Sequence, residues 1–111
     1  MARFLCLHTL PANSITRQQV EQITQAAQRD PVIKGVRSFI SASEGKVACI
    51  MESPDKQSLS NWYKKMDLPV DSICQVEFEG DRGNVQVLGT QAGQQQQQQG
   101  QQQQSYSKSG A

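Results

Sequence analysis

The chain has few of the residues that chemistry usually needs. Aromatic residues make up 5% of 111 positions, there is one histidine, and the three cysteines include no Cys-x-x-Cys pair. The sequence contains no nucleophile elbow, P-loop, dinucleotide fingerprint or His-Glu-x-x-His, so the motif-borne forms of hydrolysis, phosphate binding and zinc proteolysis are excluded. The formal charge is +1, too small to set up a field that draws in nucleic acid or an acidic membrane. No apolar run approaches a membrane span. The start, Met-Ala-Arg-Phe-Leu-Cys-Leu-His-Thr-Leu, is too short and polar for a secretory core, and Pro11 follows it. Cysteines that are odd in number and far apart argue for a reduced compartment, so a cytoplasmic protein is expected.

What is present organises into one domain over residues 1–90 and a Gln-rich tail over 91–111. The tail is dominated by Gln, Gly and Ser. It lacks the apolar surface that offsets ordering entropy, so it is expected to be disordered, with no partner specified. In the domain, Arg3 to Leu10 alternates as a first strand, with Phe4, Cys6 and His8 on one face and Leu5, Leu7 and Thr9 on the other. Thr16-Arg17-Gln18-Gln19 fits a capping box ahead of a helix that stops at Asp30-Pro31. Val36 to Ser41 and Val47 to Glu52 read as a hairpin about Gly45. Ser53-Pro54-Asp55 reads as a helix start capped by Ser53, followed by a buried stripe of Leu59, Trp62, Tyr63 and Met66. Ile73 to Glu79 is a fourth strand. Asn84 to Leu88 is a short fifth strand or a loose arm.

The order β-α-β-β-α-β predicts an α+β, ferredoxin-like antiparallel sheet with both helices on one face. The other face carries Leu5, Leu7 and Phe39, so something must cover it. A second copy, in an assembly of the dimeric α/β-barrel type, is the simplest cover.

Cys6, Cys49 and Cys74 fall on three adjacent strands in this topology, with His8 and Met51 near them. Such soft donors suit copper, zinc or nickel. The plainer alternative is that each cysteine is a small buried apolar residue. Arg37 is placed on the Gly35–Phe39 face, where it meets an anionic ligand, pairs across the sheet with Glu52 or Glu77, or snorkels to the rim. Asp67 and Asp71 flank a Leu-Pro-Val turn and are read as turn and capping residues.

Arg3-Phe4-Leu5, Val36-Arg37-Ser38-Phe39-Ile40, Cys49-Ile50-Met51-Glu52-Ser53-Pro54 and Leu68-Pro69-Val70-Asp71-Ser72-Ile73 together resemble a family of small bacterial ferredoxin-like proteins. That family is largely of unknown function and is named for a nickel-binding member. The resemblance spans roughly residues 2 to 79. It implies the ferredoxin-like fold, a homodimer joined through its sheets, and a divalent transition metal such as nickel as ligand. Cys49 and Glu52 match the family pattern. The His and Tyr that members often carry on strand two are here Arg37 and Phe39, and an aromatic residue is replaced by Met51. Combined with the strand placement, the resemblance makes Cys6, His8 and Cys49 the candidate metal ligands. The resulting reading is a non-catalytic binding protein. Its rivals are a cofactor-free dimeric-barrel enzyme for a small apolar substrate, and an interaction module that works through the tail.

Overall fold

Alternation in the first strand becomes burial. In β1 (Ala2–Thr9), Phe4, Cys6 and His8 are buried while Leu7 and Thr9 are exposed. Thr16 then caps α1 (Arg17–Arg29) with the full capping box: the Gln19 N–H donates to the Thr16 hydroxyl at 3.1 Å, and the Thr16 N–H to the Gln19 side chain at 2.9 Å. This satisfies two of the donors a helix start leaves without partners. Asp30 ends the helix in extended conformation, as its position before proline requires. The structure is a computed structural model that describes residues 1–89. The expectation of a disordered tail over 91–111 lies outside the described residues.

The hairpin of β2 (Lys34–Ser41) and β3 (Lys46–Ser53) turns at Gly45, whose φ is 70°. A Cβ there would run into the Leu10 carbonyl, so glycine is required twice over, by conformation and by space. β2 begins two residues before Val36 and carries a bulge between Gly35 and Arg37. The bulge takes Gly35 off the face it was expected to share with Arg37 and Phe39. Gly35 opposes Met51 on the helix face, whereas Arg37 opposes Ile50 and Phe39 opposes Ala48 on the open face. Arg37 is exposed there, and the cross-strand pair with Glu52 is made by Arg3, at 2.9 Å.

The second helix, α2 (Lys56–Lys65), is capped by Asp55 and not by Ser53. The Asp55 carboxylate accepts from the Ser58 N–H at 2.7 Å, while Ser53 is fully buried at the end of β3 and donates its hydroxyl to the Asp55 carbonyl. Two good capping residues stand two positions apart, and burial claims the first. Leu59, Trp62 and Tyr63 form the buried stripe, with Met66 half-buried beside it. The helix stops before Leu68-Pro69. Asp67 adopts a left-handed φ of 56°, and the Leu68 N–H returns to the Tyr63 carbonyl.

β4 (Ser72–Gln75) is shorter than the strand expected over 73–79, pairing with β1 only from Leu7 to Phe4. The sheet order is β2-β3-β1-β4, all antiparallel. The core lies between this sheet and the helices, built on Phe4, Cys6, Ile33, Met51, Leu59, Trp62 and Tyr63. Burying an Ile or Leu side chain of this kind contributes about 1.5–3 kcal/mol. The architecture is α+β with an antiparallel four-stranded sheet and two helices, as expected for the ferredoxin-like class. This first compact unit ends at Gln75.

A second unit begins at Val76. Its described part is a hairpin of β5 (Phe78–Asp81) and β6 (Asn84–Val87), closed by Arg82 and Gly83 with φ of 53° and 87°. The run expected to extend strand four therefore pairs with the run expected to be a fifth strand.

Candidate functional site

The helix face of the two central strands gathers the polar groups of the core. Cys6 and Cys49 are directly opposed across β1 and β3. His8 lies two residues along the same face and is 1% exposed. Cys74 opposes Leu5 and so falls on the open face, where it is exposed. The three cysteines thus occupy three adjacent strands but two different faces, and Cys74 leaves the cluster. Met51 is buried on the helix side.

Tyr63 of α2 caps this group. Its ring meets the His8 ring edge-on, with centroids 4.7 Å apart, and meets the Trp62 ring at 5.3 Å. The Tyr63 hydroxyl is buried and makes no hydrogen bond of regular geometry, yet it lies close enough to the Cys6 and Cys49 thiols to bear on their ionisation. The Ser38 hydroxyl donates to Cys49 Sγ at 3.4 Å. In the sequence Tyr63 is marked only as part of an apolar stripe, and nothing marks Ser38. Periodicity identifies a buried tyrosine, but where its hydroxyl goes depends on which strand residues lie beneath it.

Burial governs the ionisation of every member. It pushes the Cys6 thiol up to about 11, against the opposing influence of the Tyr63 hydroxyl. It also raises Cys49, with Ser38 and Tyr63 opposing. Burial holds His8 below the usual histidine range, while the Pro69 carbonyl and Asp71 favour its charged form. Tyr63 is pushed up by burial and by the neighbouring thiols. The whole group is therefore neutral at pH 7. His8 Nδ1 lies 2.8 Å from the Pro69 carbonyl oxygen. A carbonyl can only accept, so Nδ1 carries the proton. In the neutral ring Nε2 keeps a free lone pair, buried and without a partner.

A groove of about 230 Å³ reaches this cluster between α1, β2 and α2. Cys49, Ser38, Tyr63 and Trp62 are among its walls, and Gly35 contributes backbone. A wider hollow of about 480 Å³ lies on the open face, lined by Leu7, Phe39 and Ala48 with Thr9, Lys46 and Asp71 at its polar end. Asp71 is a tie between segments. Its carboxylate accepts from the Thr9 hydroxyl at 2.6 Å and its N–H donates to the Leu7 carbonyl. Among the described residues, no group of three or more His, Cys, Asp or Glu side chains is placed to hold a metal ion. Among them, too, no helix is long and apolar enough to cross a membrane.

Comparison with known proteins adds a family. Residues 4–76 match the family model described as nickel responsive protein SCO4226-like. The crystal structure of SCO4226 from Streptomyces coelicolor A3(2) superposes with a TM-score of 0.62 at 21% identity, covering 71% of this chain and 100% of that one. At that identity the likeness speaks for the fold. The matched span closes at residue 76, so the β5–β6 hairpin lies beyond it. No curated protein matches the chain.

Proposed function

From its membership of the nickel responsive protein SCO4226-like family, we propose that this chain is a non-catalytic binding protein that takes a divalent transition metal, nickel foremost, and works as a homodimer. The observation that carries the metal reading is His8. A buried imidazole with Nδ1 committed to Pro69 and a free Nε2 lone pair is a donor without an acceptor. Two thiols stand on the same face of the sheet. Imidazole and thiolate together suit nickel, zinc or copper better than magnesium or calcium. Cys6, His8 and Cys49 are the residues that would hold the ion. Since the three do not form a ready-made metal-holding group among the described residues, binding would have to readjust them, and Cys6 and Cys49 would have to lose protons that burial favours.

Thermal unfolding of the full chain with added nickel tests the reading. A ligand at a hundred times its dissociation constant stabilises by about 2.7 kcal/mol, so the midpoint should rise with nickel and stay unmoved by magnesium. His8→Gln and Cys49→Ser should each lose the rise. Equal shifts in parent and variants, or none in the parent, would remove these residues from the site.

A further inference from the structure

Cys6 and Cys49 are more than two possible donors, because they are register partners on neighbouring central strands with both side chains on the helix face. Directly opposed residues in an antiparallel pair have Cα atoms about 4.5–5.5 Å apart. A disulfide bridges Cα separations of about 4.4–6.8 Å. The backbone therefore already stands at bridging distance, and both cysteines are free thiols. A sheet aligns the two Cβ directions side by side, which strains a bridge placed there and keeps it reducible.

The two sulfurs are not equivalent. Cys6 is 0% exposed and forms no part of the groove wall. Cys49 does line the groove and carries the Ser38 hydrogen bond. The unpartnered Tyr63 hydroxyl lies beside both. A groove of about 230 Å³ admits a small molecule and no protein surface. Its walls come from α1, β2, β3 and α2.

We propose that Cys6 and Cys49 form a reversible dithiol–disulfide site for small hydroperoxides, with Cys49 oxidised first and Cys6 resolving. Cys49 sulfur attacks the terminal peroxide oxygen. The O–O bond breaks, the leaving oxygen takes the Cys49 proton and departs as alcohol or water, and Cys49 becomes a sulfenic acid. Cys6 sulfur then attacks Cys49 sulfur. The S–O bond breaks, and its oxygen leaves as water with the Cys6 proton. The dithiol has lost two electrons and two protons, and the peroxide has been reduced by two electrons. Ser38 and Tyr63 are the hydroxyls beside the Cys49 sulfur.

The test uses the full chain carrying Cys74→Ser, which silences the exposed thiol, in metal-free buffer so that its result is independent of nickel binding. On exposure to excess hydrogen peroxide, both remaining thiols should vanish together. The mass should fall by two hydrogens, peptide mapping should join the Cys6 peptide to the Cys49 peptide, and a thiol reductant should reverse the change. Adding Cys6→Ala should leave Cys49 trapped as a sulfenic acid that a dimedone probe captures. If that variant fails to fold, the peptide map of Cys74→Ser alone decides. Two results would overturn the proposal. One is survival of both thiols under conditions that fully oxidise Cys74 in the parent. The other is gain of oxygen at Cys49 with no link to Cys6.

Discussion

Asp30 shows how much one side chain can organise. Its carboxylate accepts from the Val32 N–H at 2.8 Å and the Ile33 N–H at 3.0 Å, with Lys65 Nζ 3.9 Å away. These bonds turn the chain out of α1 and deliver Ile33, 1% exposed, into the core. Burial raises the Asp30 pKa, but the Ile33 and Val32 amides, then Lys65 and Lys34, outweigh it, and the net shift is downward. A carboxyl whose folded pKa is depressed stabilises the fold above its unfolded value of about 3.8, and that contribution disappears as pH falls through the folded pKa. Asp30→Ala should therefore cost about 1.5–3 kcal/mol at pH 7, the range for hydrogen bonds to a charged group. The difference from the parent should narrow steadily below pH ~4. Urea titrations from pH 7 to pH 2 would measure it. A difference that stays constant across that range would mean the carboxylate charge does nothing for folding. Asp55 shifts in the same direction through its bonds to Ser58, so the variant should keep some acid sensitivity.

At the scale of elements, what the sequence revealed and what it hid divide along one physical line. Faces set by simple alternation were readable, as in β1, where Phe4, Cys6 and His8 go in and Leu7 and Thr9 stay out. So was the α1 start, because Thr16 and Gln19 form a local motif that closes without help from the rest of the chain. The bulge at Val36 was hidden, since an inserted residue breaks the period of two without a compositional mark. The fate of residues 76–79 was hidden too. Their alternation fits either partner, and the two-residue loop at Arg82-Gly83, with both φ positive, makes pairing with β6 the cheaper closure. Of the soft donors, alternation in β1 put Cys6 and His8 on one face, but adjacency of strands left open which face Cys49 and Cys74 take; the register puts Cys49 opposite Cys6 and Cys74 opposite Leu5. The bulge has an energetic correlate at Gly35. A Cβ there would sit 3.2 Å from Ala27 Cβ, so α1 approaches β2 as closely as glycine permits. Gly35→Ala needs only a few tenths of an ångström of give and should change stability by less than about 1 kcal/mol. Gly35→Val adds volume where α1 leaves none and should cost about 1–3 kcal/mol by the same overpacking argument. Denaturant unfolding of both variants checks this, and a Val variant as stable as the parent would show that the helix shifts freely.

For the whole molecule, the decisive asymmetry is a sheet with two apolar faces and helices for one of them. Leu5 opposes Ile50, Leu7 opposes Ala48 and Phe39 opposes Ala48, so five apolar side chains share the open face. Leu7 is 39% and Phe39 57% exposed, and a hollow lies between them. Isolated exposed apolar residues are ordinary, but a contiguous patch on a flat sheet marks an interaction surface. A second copy supplies the same surface, and a two-fold arrangement lets one patch cover itself. Light scattering on the untagged chain at tens of micromolar should therefore give roughly twice the chain mass of 12.3 kDa. Phe39→Asp places a carboxylate where a partner would remove water from it, which costs several kcal/mol when nothing pairs with it. That variant should be monomeric. It should also keep its fold at low concentration, because a half-exposed side chain contributes little to the monomer core. Leu7→Asp should act in the same direction. A parent that runs as a clean monomer would refute the homodimer. A variant that loses its structure along with its assembly would mean instead that the open face belongs to the fold of the single chain.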